Sequence, residues 1–239
     1  RPGLKFHSGN PLTADDVAWS IRRCVLLDKG AAAVLQGIGL TTANVKENVR
    51  KIDDETVSIT TDHVYSPTFV LNVLGAWPAS VVDRKLLEQH QQNNDFGNAW
   101  LRTHEAGSGI FKLVKWTAND SLILQRDDAH ADPALLKRIV LKHVPETAGQ
   151  RLLIENGDAD MARNLGDNDI DALTKSGKAK SMAVPQATLL YLGLNVKNPD
   201  LAKPEVQQAI KWLIDYQGIQ DHIAKHTYKV HQTFLPEGF

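Results

Sequence analysis

The residues best suited to metal chemistry are His222 and His226, which lie four positions apart in a segment predicted to be helical. Imidazoles at this spacing share one helix face and could together bind nickel or zinc. The pair lacks the glutamate of the H-E-x-x-H motif, and Gln220, Lys225 and Lys229 around it are typical of a solvated helix face. Two interpretations stay open, a metal site at these histidines and an exposed polar helix.

Other residue combinations that could carry catalysis are better explained as turns and caps. Gly107-Ser108-Gly109 lacks the spacing of the G-x-S-x-G nucleophile elbow, and no helix pattern follows it. The carboxylate pairs Asp15-Asp16, Asp53-Asp54 and Asp127-Asp128 each fall at a predicted cap or turn, where aspartate bonds its own backbone. No dinucleotide-binding or P-loop motif is present. The sequence therefore predicts that the chain is not an enzyme and needs no cofactor.

The tryptophans are spread along the chain, and most of them are expected in the core. Trp77 is the exception, because its Gly-Ala-Trp-Pro context is typical of a loop. An indole that lines a cleft can stack on a bound ligand. Trp77 is therefore a candidate ligand contact.

Helices and strands alternate along the sequence, which predicts a mixed α/β fold. A helix begins after Thr13, with Asp16 at the third helical position as in a capping box. Its apolar stripe recurs with helical spacing at Val17, Ile21, Cys24 and Val25. Arg1 to His7 reads as the tail of a strand already under way, so we expect a fragment of a longer chain.

Further elements follow from turn residues and apolar periodicity. The predicted helices are Pro67 to Leu74, Ala148 to Asn156, one that Asp167 caps and that runs through Ser176, and a last one that opens at Pro204, with Val206, Ile210, Leu213 and Ile214 on its inner face. The first predicted strand begins at Val49 and alternates Val57 and Ile59 with polar residues after the turn at Asp53-Asp54. The other predicted strands are Phe111 onward, Ser121 to Arg126, Arg138 to Val144, Asp160 to Ala162, and Thr188 to Asn195, the last of which is apolar enough to be well buried.

The composition excludes several functional classes. Twenty-seven basic and 28 acidic residues nearly cancel, and no long run of one sign is present, so neither nucleic acid nor an anionic membrane is an expected partner. No apolar stretch approaches the roughly 20 residues of a membrane span. The single cysteine, Cys24, excludes an internal disulfide. A small molecule or a protein is the expected partner.

The run from Gly3 to Val17, Gly-Leu-Lys-Phe-His-Ser-Gly-Asn-Pro-Leu-Thr-Ala-Asp-Asp-Val, resembles the signature of the peptide/nickel class of bacterial extracytoplasmic solute-binding proteins. Four further segments resemble that family in the same order along nearly the whole chain: 107–116, 135–145, 151–162 and 206–215. The chain departs from the usual Gly-Thr-Gly-Pro-Tyr and Val-Arg-Gln-Ala motifs at Gly107 to Phe111 and Val206 to Ala209, which leaves the subfamily open.

The resemblance implies a two-lobed periplasmic-binding-protein-like fold with mixed sheets, here present as a fragment. Residues 1–95 would form an extra subdomain of the first lobe, residues 96–195 its main part, and residues 196–239 the start of the second lobe. The implied function is binding of an extracytoplasmic solute, most simply a peptide, and its delivery to an ABC transporter permease. The alternative is a nickel or metal-chelate binder of the same class that uses His222 and His226.

The same resemblance implies a monomer located in the periplasm, or a cell-surface lipoprotein in a single-membrane bacterium. The loop at Gln36 and Gly37 matches a region where relatives offer an aromatic side chain to the ligand, and this chain offers none there. Arg163 and Asn164 match a loop that meets the ligand in oligopeptide binders. Asn164 could instead bond its own turn. Asn195 lies near the expected crossover between lobes.

Overall fold

The computed structural model describes residues 3–184, 186, 188–231 and 233–235. The chain divides into two compact units, and the boundary along the sequence lies between His143 and Val144. The helices of the described residues are α1 Ala14–Leu27, α2 Ala32–Gln36, α3 Val45–Asn48, α4 Pro67–Gly75, α5 Arg84–Gln89, α6 Thr147–Asn156, α7 Asp167–Ser176, α8 Pro204–Leu213 and α9 Tyr216–His222, with 3₁₀ turns at Trp77–Ala79 and Trp100–Arg102. The strands are β1 Val49–Lys51, β2 Val57–Ile59, β3 Phe111–Thr117, β4 Ser121–Arg126 and β5 Arg138–Lys142.

The start of α1 is fixed by its first polar residues, as the capping box predicts. The carboxylate of Asp16 accepts hydrogen bonds from the backbone N–H of Thr13 at 2.9 Å and from its hydroxyl at 2.7 Å. The helix ends at Asp28, which has a left-handed conformation with φ 46°. Ile21 and Val25 are buried, and Val17 and Cys24 pack partly buried beside the core.

The core of the first unit forms around α1. The residues that contribute to it come from α1, α2, the loop between α2 and α3, α3, β1, α4 and the first 3₁₀ turn, and they are Ala18, Ile21, Val25, Leu35, Ile38, Leu40, Val45, Val49, Val73 and Ala79. The antiparallel pair β1 and β2 lies against α1, in the register Val49 with Ile59. Arg22 links α1 to β1, because its Nε donates a hydrogen bond to the Val49 carbonyl at 2.6 Å. These short elements are stable because they share one apolar centre.

The strands β3, β4 and β5 form an antiparallel sheet in that order. Trp116 pairs with Leu122, which pairs with Leu141, and the neighbouring row is Leu113, Leu124 and Ile139. A bulge at Val114 brings Leu113 and Trp116 to the same face although they are three residues apart. One face of the sheet is therefore apolar across all three strands, yet none of these six side chains is buried.

In the second unit, α6 and α7 pack on each other and end as predicted. Gly157 and Gly177 follow them with φ of 78° and 70°, the left-handed conformation of a helix end. The predicted start of α7 shifts by one residue, because Gly166 is the cap and Asp167 the first helical residue. Arg151 of α6 lies 3.5 Å from the Asp169 carboxylate of α7, which joins the two helices by charge as well as by contact.

Three predicted elements are wrong in part. Residues 160–162 are not a strand, because no described residue pairs with them. The segment Thr188 to Asn195 has no strand ladder either, and it is exposed where burial was predicted. The helix α8 forms, but none of its four predicted inner residues is fully buried, and Leu213 is 82% exposed. In each case the local conformation lacks the neighbour that would bury it.

We expect the core of the first unit to respond strongly to truncation at Leu35, which is fully buried in α2. Leu35→Ala should lower the free energy of unfolding by about 2–5 kcal/mol, since it removes buried methyl groups and leaves a cavity. Leu71→Ala is the control, because Leu71 lies on α4 and is 67% exposed, so its loss should be within about 0.5 kcal/mol. Urea denaturation measures both, and equal midpoints would contradict this description of the core.

Candidate functional site

The segment that carries the sequence signature folds as a tight hairpin. Lys5 and Pro11 form an antiparallel bridge, and the Leu12 N–H donates to the Leu4 carbonyl at 2.9 Å. Gly9 at the tip has φ 91°, a conformation that favours glycine. The Phe6 ring is buried beneath this hairpin. Of the predicted strand tail up to His7, only Lys5 forms a β-bridge among the described residues, and the chain turns back between Phe6 and Asn10.

The polar side chains of this hairpin converge on the fully buried carboxylate of Asp83. Its Oδ2 accepts hydrogen bonds from the Ser8 hydroxyl and, at 2.9 Å, from the Asn10 side-chain amide. Its Oδ1 accepts from the Leu86 N–H at 3.0 Å, which caps the start of α5. Next to it, the Arg84 N–H donates to Asp16 at 3.3 Å. Asp83 and Asp16 thus connect the hairpin, α1 and α5.

His7 attaches the same hairpin to the turn at residues 107–109. Its Nδ1 lies 2.9 Å from both carboxylate oxygens of Glu105, and its Nε2 lies 2.7 Å from the Gly109 carbonyl. Glu105 also accepts from the Gly107 N–H at 2.7 Å. Both ring nitrogens of this nearly buried imidazole therefore face oxygen acceptors, a structural anchor rather than a strand position.

The serine of this turn has no catalytic surroundings. A nucleophilic serine needs a base within hydrogen-bond reach of its hydroxyl. The Ser108 hydroxyl has no hydrogen bond to any described residue, and both nitrogens of the neighbouring His7 are already directed at Glu105 and Gly109. The turn interpretation of Gly107-Ser108-Gly109 fits this geometry, and a nucleophile interpretation does not.

The three predicted ligand contacts of the first unit lie at α2 and at the 3₁₀ turn that packs against it. Gln36 ends α2, and its side-chain amide donates to Asp28 at 2.8 Å, while Gly37 follows as an exposed cap. Trp77 opens the 3₁₀ turn that packs against α2, and it is 74% exposed. The indole is therefore available to a partner, and Gln36 is already engaged with a neighbour.

The prediction that most of the other tryptophans lie in the core is wrong. The other four indoles were expected mostly in the core, but none of them is buried. Trp100 lies between the rings of His90 and His104, at centroid distances of 4.5 Å and 4.4 Å. Stacking between polar rings lets a tryptophan remain at the surface without a core position.

In the second unit, Arg163 and Asn164 are exposed between α6 and α7. Asn164 has φ 58°, which turns the chain and presents its side chain outward. Neither side chain makes a hydrogen bond or an ion pair with a described residue, so the amide of Asn164 does not bond its own turn here. A guanidinium and an amide with unused donors can recognise a carboxylate or a peptide backbone.

The two remaining predicted residues of this unit are held in local structure. Asn195, the predicted crossover, accepts the Lys197 N–H at 3.1 Å and so starts a surface turn. His222 ends α9, and His226 lies beyond the helix, where its Nε2 is 2.8 Å from Asp171. The prediction that His222 and His226 share a helix face is wrong because the helix stops between them. Among the described residues no group of three potential ligands could hold a metal ion.

Several surface carboxylates have a lowered pKa because hydrogen bonds from neighbouring groups stabilise their charged form, whereas burial raises the pKa of the Cys24 thiol. Asp127 directly follows β4, and a hydrogen bond from Lys112 of β3, at 2.9 Å, lowers the pKa of its carboxyl group. A hydrogen bond from His226 likewise lowers the pKa of Asp171. Backbone N–H groups lower the pKa of Asp95, whose neighbour Arg23 donates to the Phe96 carbonyl at 2.9 Å. Each carboxylate is stabilised in its charged form, which suits surface ion pairs.

A family model described as the middle region of family 5 of the bacterial extracellular solute-binding proteins matches residues 1–239. Among curated proteins, the probable D,D-dipeptide-binding periplasmic protein DdpA of Escherichia coli K12 is 28% identical over the whole chain and 44% of that protein. The dipeptide-binding protein DppE of Bacillus subtilis is 23% identical over the whole chain and 44% of its own length. The chain therefore spans less than half of these relatives.

Solved structures agree on the fold. The murein tripeptide binding protein MppA of Escherichia coli superposes with TM-score 0.80 at 19% identity, over all of this chain and 48% of that one. The periplasmic binding protein DppA of Helicobacter pylori in complex with the peptide STSA gives TM-score 0.77 at 20% identity, over 99% of this chain and 48% of that one. The predicted α/β fold of periplasmic binding proteins is confirmed. Among the described helices, none combines the length and the apolar composition of a membrane span.

The shared carboxylate at Asp83 leads to a prediction about the signature hairpin. Asp83→Asn should cost about 2–4 kcal/mol of unfolding free energy, because an amide has one acceptor oxygen and leaves a donor from Ser8, Asn10 or Leu86 without an acceptor. Asp53→Asn is the control, since Asp53 is exposed in a turn and asparagine can still accept the Glu55 N–H. Urea denaturation compares the two, and an equal effect would show that Asp83 is not a structural anchor.

Proposed function

We propose that this chain, which belongs to family 5 of the bacterial extracellular solute-binding proteins, is part of a protein that binds a peptide outside the cytoplasm and delivers it to an ABC transporter permease. The observation that carries the proposal is the match of the family model to all 239 residues. The hairpin, α1 and the turn at residues 107–109, which resemble the family's signature, are also bound to one another in the structure.

Peptide is the favoured ligand class because of what the relatives' names state. Two curated relatives are described as binding a D,D-dipeptide or a dipeptide, and a third, from Pectobacterium atrosepticum, is described as glutathione-binding. All three ligands contain amide bonds between amino acids. A solved structure of a nickel binder, NikZ of Campylobacter jejuni with Ni(L-His), also superposes, with TM-score 0.65. The separation of His222 and His226 by a helix end favours peptide over metal.

The rest of the proposal follows from the family. The whole protein would act without catalysis, as a monomer, in the periplasm or as a lipoprotein on the surface of a single-membrane bacterium. Its partners would be the solute and the permease, with neither nucleic acid nor membrane insertion of this region. The division into residues 1–95, 96–195 and 196–239 remains our prediction for the lobes of the whole protein.

Within this chain we propose the exposed Trp77 and the side chains of Arg163 and Asn164 as ligand contacts. Trp77 offers an uncovered aromatic face, and Arg163 and Asn164 offer donors that no described residue uses. Gln36 and Gly37 stay proposed as neighbours of the ligand, although the Gln36 amide already bonds Asp28. Asn195 is proposed as a crossover position and not as a contact.

The ligand class can be tested by thermal denaturation of the full-length protein. We expect the melting temperature to rise with at least one of a D,D-dipeptide, an L-dipeptide, a tripeptide or glutathione. A ligand at 100 times its dissociation constant stabilises the folded state by about 2.7 kcal/mol, which gives a shift of a few degrees. Nickel with histidine is the control. A shift with nickel alone, or with none of these compounds, would contradict peptide binding.

Asn164 permits a sharper test, because glycine preserves its left-handed backbone and removes only the amide. Asn164→Gly should weaken peptide binding about fivefold, which corresponds to the roughly 1 kcal/mol of a lost hydrogen bond. Asn119→Gly is a matched control, since Asn119 is exposed in the β3–β4 turn with φ 59° against 58° for Asn164. Isothermal titration calorimetry measures both variants, and equal affinities would remove Asn164 from the proposed site.

A further inference from the structure

Trp77 carries an exposed indole on a turn that the core holds in place. Pro78 and Ala79 follow it in the 3₁₀ turn and are both buried, and Ala79 belongs to the core of the first unit. The Ser80 N–H donates to the Trp77 carbonyl at 3.1 Å, which closes the turn. The Trp77 side chain, by contrast, is 74% exposed. The scaffold therefore fixes the position of this ring without covering it, as in a preorganised binding site.

The Trp77 side chain has no partner among the residues that the structure describes. Its ring has no aromatic neighbour there, whereas Trp19 packs edge-on against Phe96 and Trp100 stacks between two histidines. Its indole N–H donates no hydrogen bond to any described residue either. A tryptophan that keeps its ring faces and its N–H unused on a fixed turn is suited to contact with a ligand.

The elements around Trp77 are uncharged over long stretches. Its turn packs against α2 and α4, which also pack against each other. Residues 30–45, which include α2, and residues 64–82, which include α4 and the turn, contain no Asp, Glu, Lys, Arg or His. In a chain of which 23% is charged, these stretches form a neutral surface. We call it the Trp77 surface, and its exposed side chains include Ala33, Gln36, Phe69, Leu71 and Trp77.

Two carboxylates at the margin of the Trp77 surface already have hydrogen-bond donors. The Asp28 carboxylate accepts the Gln36 side-chain amide at 2.8 Å. Asp62, whose N–H donates to the Ile38 carbonyl at 3.4 Å, accepts the Tyr65 hydroxyl at 2.9 Å. A charged ligand group placed against α2, α4 and the turn would lose hydration and would find no counter-ion on these elements. The surface therefore disfavours charged groups.

We propose that the Trp77 surface receives an apolar side chain of the peptide ligand, so that the protein favours peptides with a bulky aliphatic residue at one position. This inference rests on the proposed function, because it takes a peptide as the ligand. An aliphatic side chain is stabilised when it leaves water for the exposed apolar groups of Trp77 and Leu71. An acidic side chain would meet the electron-rich face of the indole instead. A basic side chain would gain only the weak cation–π attraction of an exposed ring.

A peptide series tests this preference by isothermal titration calorimetry on the full-length protein. The parents are Ala-Ala, D-Ala-D-Ala and Ala-Ala-Ala, and leucine, lysine or glutamate of the same hand replaces each position in turn. At one position leucine should bind at least about tenfold more tightly than alanine, because several more methyl and methylene groups are buried. Lysine and glutamate should bind no more tightly than alanine there. Equal affinities for leucine and alanine at every position, or a preference for lysine, would overturn the inference.

Variants link the preference to this surface. Trp77→Ala should reduce the preference for leucine over alanine to within about twofold, and Trp77→Phe should retain most of it because an aromatic ring remains. Ile52→Ala is the matched control, since Ile52 is 61% exposed but lies in the β1–β2 turn, outside both uncharged stretches. The control should leave the preference unchanged. An unchanged preference in Trp77→Ala would overturn the inference.

The same measurements separate this inference from the proposed function. Peptides that bind without a preference for leucine, or glutathione that binds when no peptide of the series does, would overturn the role of the Trp77 surface alone. Peptide delivery would stand in both cases. If neither glutathione nor any peptide of the series bound, the proposed function and this inference would fail together.

Discussion

The first unit depends on a carboxylate placed where no water reaches it. Burial of a charged aspartate is unfavourable unless hydrogen bonds replace its hydration. Asp83 accepts such hydrogen bonds from donors in two distant parts of the chain. Ser8 and Asn10 come from the hairpin, and the Leu86 N–H comes from the first turn of α5. Loss of either side would leave a buried charge with too few partners. The hairpin and α5 must therefore form together.

The neighbouring Asp16 extends this constraint to α1. Its carboxylate caps the helix through Thr13 and also accepts the Arg84 N–H, one residue after Asp83. These bonds fix the start of α1 relative to α5. Because the start of the helix is fixed, Ile21 and Val25 face one common core, and α2, α3 and β1 pack against the same core. Polar bonds set the orientation, and apolar burial supplies most of the stabilisation.

Elements with local signals could be predicted from the sequence, and long-range partners could not. Helix ends were predicted closely where a signal acts within one turn of the helix. The signals were the capping box at Thr13 for α1, Pro67 at the start of α4 and Gly157 at the end of α6. The bonds of Asp83 to the hairpin gave no such signal, since Asn10 and Ser8 lie 73 and 75 residues away. The helix end at His222 was missed for a related reason, because the bonds of His226 go to Asp167 and Asp171, far earlier in the chain.

The same distinction separates the scaffold from the candidate site. The polar residues that carry the resemblance to the family form hydrogen bonds within the protein itself. They are His7, Ser8, Asn10 and Asp16. A side chain whose donors and acceptors are satisfied internally has little left for a ligand. Such residues therefore identify the fold without identifying the solute. Trp77, Arg163 and Asn164, which we propose as ligand contacts, are by contrast exposed side chains, and those of Arg163 and Asn164 make no hydrogen bond to a described residue.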